Sequence, residues 1–505
     1  MNSDRLLKTF RNGDSVPLRD IPQRSLEEFL QGIVELNGLG WRIASYFGVP
    51  DRDGAELWCL LAGSNQRLGV TRSRVEGCLP SITEACPEAH LFEREIAEQC
   101  GLTLDGHPWF KPVRYQRALP LGDGDSAPDA PVMLPCVGDF YRVAGSEIHE
   151  VAVGPVHAGI IEPGHFRFQC HGETVFHLEI ALGYQHRGLE RALTGGPHPA
   201  TMMQMETVAG DTTIGHATAY AMLLEGLAGA EAPPRALSLR AIALELERLA
   251  NHCGDLGALA GDVGYLPTMS FCGRIRGDFL NASAALCGSR FGRGLIRPGG
   301  VYFDCQAEQA AQLSAGLDRI LRDYAGAVEL LWNSPSVMAR FEKTGRVRPD
   351  DARDLGLVGP AARACGIARD VRHDHPFGIY RNAAPPVSVE PGGDVLARAM
   401  LRWRESQASL AYIRELLPSL PEGELLTTCG PSRPESIAAA LVEGWRGEIC
   451  HVAITDADGR FLRYKIKDPS FHNWNGLSMS LRNEQISDFP LCNKSFNLSY
   501  CGFDL

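Results

Sequence analysis

Between His149 and Glu190 the chain reads HEVAVGPVHAGIIEPGHFRFQCHGETVFHLEIALGYQHRGLE, and this stretch limits the possible folds more than any other. Val151 and Val153, then Phe166, Phe168 and Cys170, recur at every second position, the period of strands with one buried face. His171-Gly172-Glu173 stands where a hairpin turn belongs. Gly154-Pro155 and the Ile-Ile-Glu-Pro-Gly run are backbone-restricted loops, predicted to hold His157, Glu162 and His165 at the mouth of a small sheet. Polar residues fixed on such loops are candidates for a site.

Elsewhere the period is helical. Leu26, Phe29, Leu30, Ile33 and Leu36 fall three and four apart and predict a helix, and Glu56 to Leu61 reads as a strand. From Ser238 onward Ile242, Leu246, Leu249, Cys253 and Leu256 form one buried helix stripe. Leu313 to Trp332, Asp394 to Leu417 and Arg433 to Leu441 are further predicted helices, the last opened by Pro434. Ile449 to Thr455 and Phe461 to Ile466 flank Asp456-Ala457-Asp458-Gly459, which predicts a hairpin. Residues 116–146, rich in Pro, Gly and Asp, read as a linker between units spanning 1–115 and 147–505.

Charge and length remove several function classes. A net charge of −12 argues against a nucleic-acid partner, because phosphate binding needs a basic surface. No run approaches the roughly 18 apolar residues of a spanning helix, so membrane association is expected through partner subunits only. Met1 to Arg11 has no apolar core of a secretory signal, and the chain is expected in the cytoplasm. The 15 cysteines include no Cys-x-x-Cys pair and read as scattered, reduced, mostly buried thiols.

GPVHAGIIEPGHFRF followed by LGYQHRGLE resembles the start of the large subunit of membrane-bound nickel-iron hydrogenases of the formate hydrogenlyase type, group 4. That subunit is itself similar to the 49-kDa, quinone-site subunit of respiratory complex I. The likeness continues in ALELERLANHCGDLGAL (243–259), FGRGLIRPGGV (291–301), GLVGPAARACGIARDVRHDHPF (356–377), EGWRGEI (443–449) and ISDFPLCNKSFNLSYCGFDL (486–505). In the first unit, FEREIAEQCGLTLDGHPWFKPVRY (92–115) resembles the signature of complex I's 30-kDa subunit, in Glu93, Arg94, Glu95, Gly106, His107 and Pro108. The alternative for these three charged residues is a solvated helix face. The resemblance implies an α+β fold: an α/β domain like the 30-kDa subunit, then a mainly helical domain like the hydrogenase large subunit, with a small antiparallel sheet.

The chain departs from the family at the metal. Nickel-iron hydrogenases hold their metal with four thiolates in two Cys-x-x-Cys motifs, a spacing that presents two soft ligands from one turn. Where the family carries the first motif, this chain reads VAGDTTIGHATAY, several residues shorter. At the other end a single thiol, Cys501, stands where two are needed, and Cys492 is too far along the chain to share its turn. A nickel-iron centre is therefore not expected, and no metal ligands are assigned. Beyond Leu505 nothing remains for the C-terminal processing of family hydrogenases, so the mature chain is expected to end there. The complex I quinone histidine falls on Ile161, with His157 on the histidine before it, and the quinone tyrosine belongs in the shortened loop.

Glu162 falls on the glutamate with which hydrogenases shuttle protons. Behind a Pro-Gly turn and close to Ile160 and Ile161, it is predicted to exchange protons near neutrality. His157, His165 and His216 are candidate neighbours on a proton path, with Asp211 and Arg187 as charge partners. The resemblance implies a subunit of a membrane-bound, multisubunit, respiratory-type oxidoreductase, at the cytoplasmic side of the inner membrane. Its expected partners are a small iron-sulfur subunit, which carries the cluster, and ion-translocating membrane subunits. Quinone stays open as a ligand. The alternatives are a non-catalytic scaffold of such a complex and a quinone-site subunit of the NADH-quinone oxidoreductase type.

Overall fold

The computed structural model describes residues 3–64, 66–116, 119, 138–159 and 161–505. Residues 117–118 and 120–137 of the predicted linker, and Ile160, lie outside these. Four strands of the first sheet are β1 (Lys8–Arg11), β3 (Arg42–Asp51), β4 (Gly54–Ala62) and β5 (Arg67–Glu76), in the order β1-β5-β4-β3. Helix α1 (Leu26–Gly38) opens on a capping box: the Ser25 hydroxyl accepts from Glu28 N–H, and the Glu28 carboxylate accepts from Ser25 N–H. Its buried Phe29, Leu30, Ile33 and Leu36 lie on the stripe read from the spacing. The short strand β2 (Ser15–Pro17) leaves this unit altogether and pairs with a strand near the other end of the chain.

The Glu93-Arg94-Glu95 segment lies on α2 (His90–Cys100) and is not a solvated face. Glu93 is fully buried and accepts hydrogen bonds from Ser81 Oγ at 2.6 Å, Thr83 Oγ1 at 2.7 Å and Ile82 N at 2.8 Å. Arg94 donates to the carbonyls of Lys111 and Pro112. Glu95 is buried between Arg114 and Lys465. Buried charges persist only when paired and hydrogen-bonded, so the segment fastens one part of the chain to another. Glu93→Gln leaves one acceptor facing its three donors and is expected to cost ~2 kcal/mol. Urea unfolding checks this, and a variant as stable as wild type refutes the fastening role.

In the central sheet, β7 (His165–His171) is flanked by β6 (Ile148–Val153) and β8 (Thr174–Ala181), with the β7–β8 turn at Gly172. Then come the helices α3 (Thr213–Ala228), α4 (Pro234–Asp262), α5 (Leu266–Cys287), α6 (Ala307–Trp332) and α7 (Val395–Leu416). Helix α4 buries residues on every side, including Glu245, Arg248 and His252. No helix among the described residues is long and apolar enough to cross a membrane.

The expected helix over Arg433 to Leu441 is instead β9 (Ser436–Gly444), buried at all nine positions. Alanines at 438–440 favour a helix locally, but β9 lies between β2 and β10 (Gly447–Thr455), and packing on both faces overrides propensity. Strand β11 (Phe461–Lys467) completes the sheet β11-β10-β9-β2 and follows the predicted 456–459 turn. Three short helices close the chain: α8 (Pro469–Ser480), α9 (Phe489–Phe496) and α10 (Tyr500–Asp504). Asn12, just before β2, donates to the Leu441 carbonyl and accepts from Leu441 N–H.

Candidate functional site

A cavity of about 410 Å³ opens where five pieces of chain converge. The loop before β7 contributes Ile161 and Glu162, the turn before α3 contributes Asp211, and the β9–β10 turn contributes Arg446. Helix α9 adds Asn493 and Lys494, and the turn into α10 adds Asn497, Ser499 and Cys501. Asn497 adopts the left-handed conformation (φ 46°) at the end of α9, which turns the chain back across the cavity. Ser499 caps α10 by accepting from Gly502 N–H at 2.9 Å.

On the floor Arg446 grips Asp211 with two nitrogens, at 2.6 and 2.8 Å. The guanidinium lies 3.9 Å from the centroid of Trp445, whose indole N–H donates to the Asp211 carbonyl at 3.1 Å. Burial favours the neutral acid at Asp211, but pairing with Arg446 outweighs it and holds the carboxyl below its usual range. Burial and the nearby Glu162 push the Cys501 thiol up, so it is a poor thiolate.

The sequence candidates divide into three places. Glu162 and Asp211 share the cavity lining. Glu162 is exposed at the rim, and its Oε2 accepts from Tyr500 N–H at 3.3 Å. His157 and His165 brace the loop that carries Glu162. His157 Nε2 lies 2.8 Å from the Gly164 carbonyl, while His165 Nε2 accepts from Arg167 Nε and Nδ1 faces the Gly154 carbonyl at 3.2 Å. Arg187 donates to the carbonyls of Thr207, Val208 and Cys501, steadying the two turns beside the cavity.

His216 is fully buried below the floor, in a line of polar groups that sequence reasoning did not assemble. Its Nε2 lies 3.1 Å from Asp468, its Nδ1 lies 3.0 Å from His451 Nε2, and His451 Nδ1 lies 2.8 Å from the Tyr464 hydroxyl. Asp468 accepts from Ser470 N–H, and Ser470 Oγ accepts from Ser499 N–H, which ties this line to the cavity wall. Burial opposes ionisation of Asp468, yet the bond to His216 and the charge nearby keep its carboxyl below the usual range. Nearer the mouth of α3, Glu247 accepts from Ile214 N–H at 2.7 Å and Gly215 N–H at 3.2 Å, and burial pushes it up to about 8.

These residues do not fit a four-thiolate centre. Cys501 is the one sulfur among the residues lining the cavity, and it lies 3.5 Å from Ser499 Oγ. Cys492 is buried on the far side of α9, beside Arg398. Among the described residues no three His, Cys, Asp or Glu side chains are grouped to hold a metal. Nor do they reproduce the quinone contacts of complex I, since Ile161 offers hydrocarbon and His157 is committed to Gly164.

Comparison with known families finds two matches. Residues 21–120 match the respiratory-chain NADH dehydrogenase 30-kDa subunit, and residues 262–429 and 425–504 match the 49-kDa subunit of the same enzyme. Formate hydrogenlyase subunit 5 of Escherichia coli is 30% identical over 487 residues, covering 92% of this chain and 82% of that protein. The carbon monoxide-induced hydrogenase of Rhodospirillum rubrum is 32% identical over 346 residues, covering 68% and 95%. NADH-quinone oxidoreductase subunit 4 of Thermus thermophilus is 29% identical over 370 residues, covering 68% and 90%.

Proposed function

Because the chain belongs to the family that joins the 49-kDa subunit of NADH dehydrogenase with the hydrogenase large subunits, here with a 30-kDa-type region in the same polypeptide, we propose that its cavity couples electron transfer to proton movement. It is a subunit of a respiratory-type oxidoreductase complex. On our reading the chain comprises a 30-kDa-like domain (1–115), a linker (116–146) and a domain like the hydrogenase large subunit (147–505). It docks against a small iron-sulfur subunit and ion-translocating membrane subunits, on the cytoplasmic face of the inner membrane. The partner's cluster brings the electron, and this chain handles the proton.

What carries the reading is the meeting of Glu162, Asp211 and Arg446 at one cavity, above the buried Asp468–His216–His451–Tyr464 line. Glu162 takes or gives a proton at the rim, where its carboxylate reaches both solvent and cavity. His157 and His165 position its loop. His216 offers a second proton acceptor beneath the floor. A scaffold role is the second reading, and the mutual satisfaction of Asp211 and Arg446 favours it, because that pair needs no ligand.

Purification of the tagged chain from membranes tests both. Iron-sulfur and membrane subunits are expected to co-purify, elemental analysis is expected to find iron without stoichiometric nickel, and vesicles carrying the complex should move ions when it turns over. One nickel per chain overturns the ligand argument. A chain recovered with membrane subunits but no redox-active partner overturns the coupling role.

A further inference from the structure

Glu443 is the next-to-last residue of β9, and Arg446 lies in the two-residue turn that joins β9 to β10. Arg446 reaches the cavity. Glu443 enters a sealed cluster between α4, α7 and residues 359–374, made of three guanidiniums (Arg248, Arg363, Arg372) and four carboxylates (Glu245, Asp370, Glu405, Glu443), all buried. Glu245 accepts from Arg372, Arg248, Tyr380 and Ser409. Asp370 is gripped by Arg372 at 2.6 and 3.0 Å and has Arg363 at 3.5 Å. Glu405 accepts from Arg363 Nε at 2.8 Å and meets His252 Nε2 at 2.8 Å. Glu443 has least: Arg363 NH1 at 2.7 Å and Val371 N–H at 3.0 Å.

Four negative groups thus face three positive ones where no solvent reaches. An uncompensated buried charge is among the costliest arrangements in a protein, and the usual resolution is to bind a proton. The surroundings do not supply the missing charge. Arg402 is taken by Asp255, and Asp374, Glu88 and Glu448 are matched by Arg42, Arg369 and Lys467. His252 is the other group able to hold the proton. Its Nδ1 has no partner, so the charged ring would bury an unpaired N–H, and burial lowers its proton affinity although Glu405 acts against that.

We propose that this cluster stores one proton, on Glu443, and that the Glu443–Arg446 hairpin makes its occupancy respond to charge in the cavity. Burial, with the Asp370 carboxylate alongside, pushes Glu443 up to about 7, where the store fills and empties near neutrality. Arg446 and its partner Asp211 stand at the turn just past Glu443, so charge in the cavity acts on the acid from close by. At an effective dielectric of about 20, a unit change of charge ~10–15 Å away moves an acid's midpoint by about one pH unit. The use of the store rests on the proton-coupling reading of the cavity. Its occupancy does not.

Infrared titration of the full chain, with carbon-13-labelled glutamate to separate Glu from Asp, tests this. The expected result is a label-sensitive carboxylic-acid band that vanishes with a midpoint near 7 and is absent from E443Q. Glu247 is a second buried glutamate pushed upward, so E247Q serves as the partner variant, and a titrating band should persist in it even if E443Q does not fold. Retention of the component with a midpoint near 7 in folded E443Q, or loss of every titrating component in E247Q, overturns the store. In D211N the midpoint should fall by about one unit, a tenfold loss of proton affinity. An unmoved midpoint overturns the link to the cavity. Ion translocation is not read here, so failure of the coupling function and failure of the store are separate results.

Discussion

Glu162→Gln is expected to abolish ion translocation by the assembled complex, by on the order of 100-fold or more, while assembly and thermal stability stay close to wild type. Glutamine keeps the size of the side chain and an acceptor for Tyr500 N–H, but it cannot titrate. That single 3.3 Å bond at an exposed position is worth about 1 kcal/mol at most, so any large loss of stability has to come from elsewhere. Measurement of ion movement into vesicles, beside a thermal-shift scan of the complex, separates the outcomes. Normal translocation in the variant supports the scaffold reading. A complex that fails to assemble identifies Glu162 as a structural carboxylate and sinks the proton role, even though activity also disappears.

Arg363→Ala is expected to destabilise the chain by about 3–5 kcal/mol, a large part of the total for most domains. Arg363 is fully buried and serves Glu405, Glu443, Asp370 and the Arg369 carbonyl at once. Its removal leaves four carboxylates facing two guanidiniums. Those carboxyls then have raised folded-state pKa values, so the variant keeps most stability below the ordinary carboxylate range and loses it as pH rises. The deficit against wild type should therefore be smallest near about pH 5 and largest near about pH 8. Arg363→Lys restores the charge without the fork and should fall between the two. A urea midpoint for Arg363→Ala within experimental error of wild type at both pH values refutes this account.

Sequence periodicity reached the elements whose surroundings are simple. Helix α1 follows its apolar spacing because it buries one stripe, and the strand before Gly172 does so through Phe166, Phe168 and Cys170, although His165 and Gln169 on its other face are buried too. It failed at β9, where both faces are buried and alternation disappears, leaving an alanine run that favours the wrong element. The charged residues show the same limit. Glu93 to Glu95 look solvated in isolation because their partners Ser81, Arg114 and Lys465 are scattered along the chain, and Lys465 lies 370 positions from Glu95. Glu162 and Asp211 were legible through the hydrogenase likeness. Arg446 stood inside a motif quoted for that likeness, EGWRGEI, but no spacing rule says that its guanidinium reaches Asp211, 235 residues earlier.

Pairing of β2 with β9 has a consequence for how the protein is made. The ribosome releases Asn12 and Ser15–Pro17 early, and 429 residues separate Asn12 from Leu441, the residue whose backbone it holds. The first unit can collapse on the way, but this strand has to wait for most of translation before its partner exists. Until then β2 carries unpaired backbone groups of the kind that seed aggregation. Premature termination, or division of the gene between the two units, leaves both products with an unsealed edge. Heterologous production should therefore reward slow synthesis and holding chaperones, with the two halves supplied as one uninterrupted polypeptide.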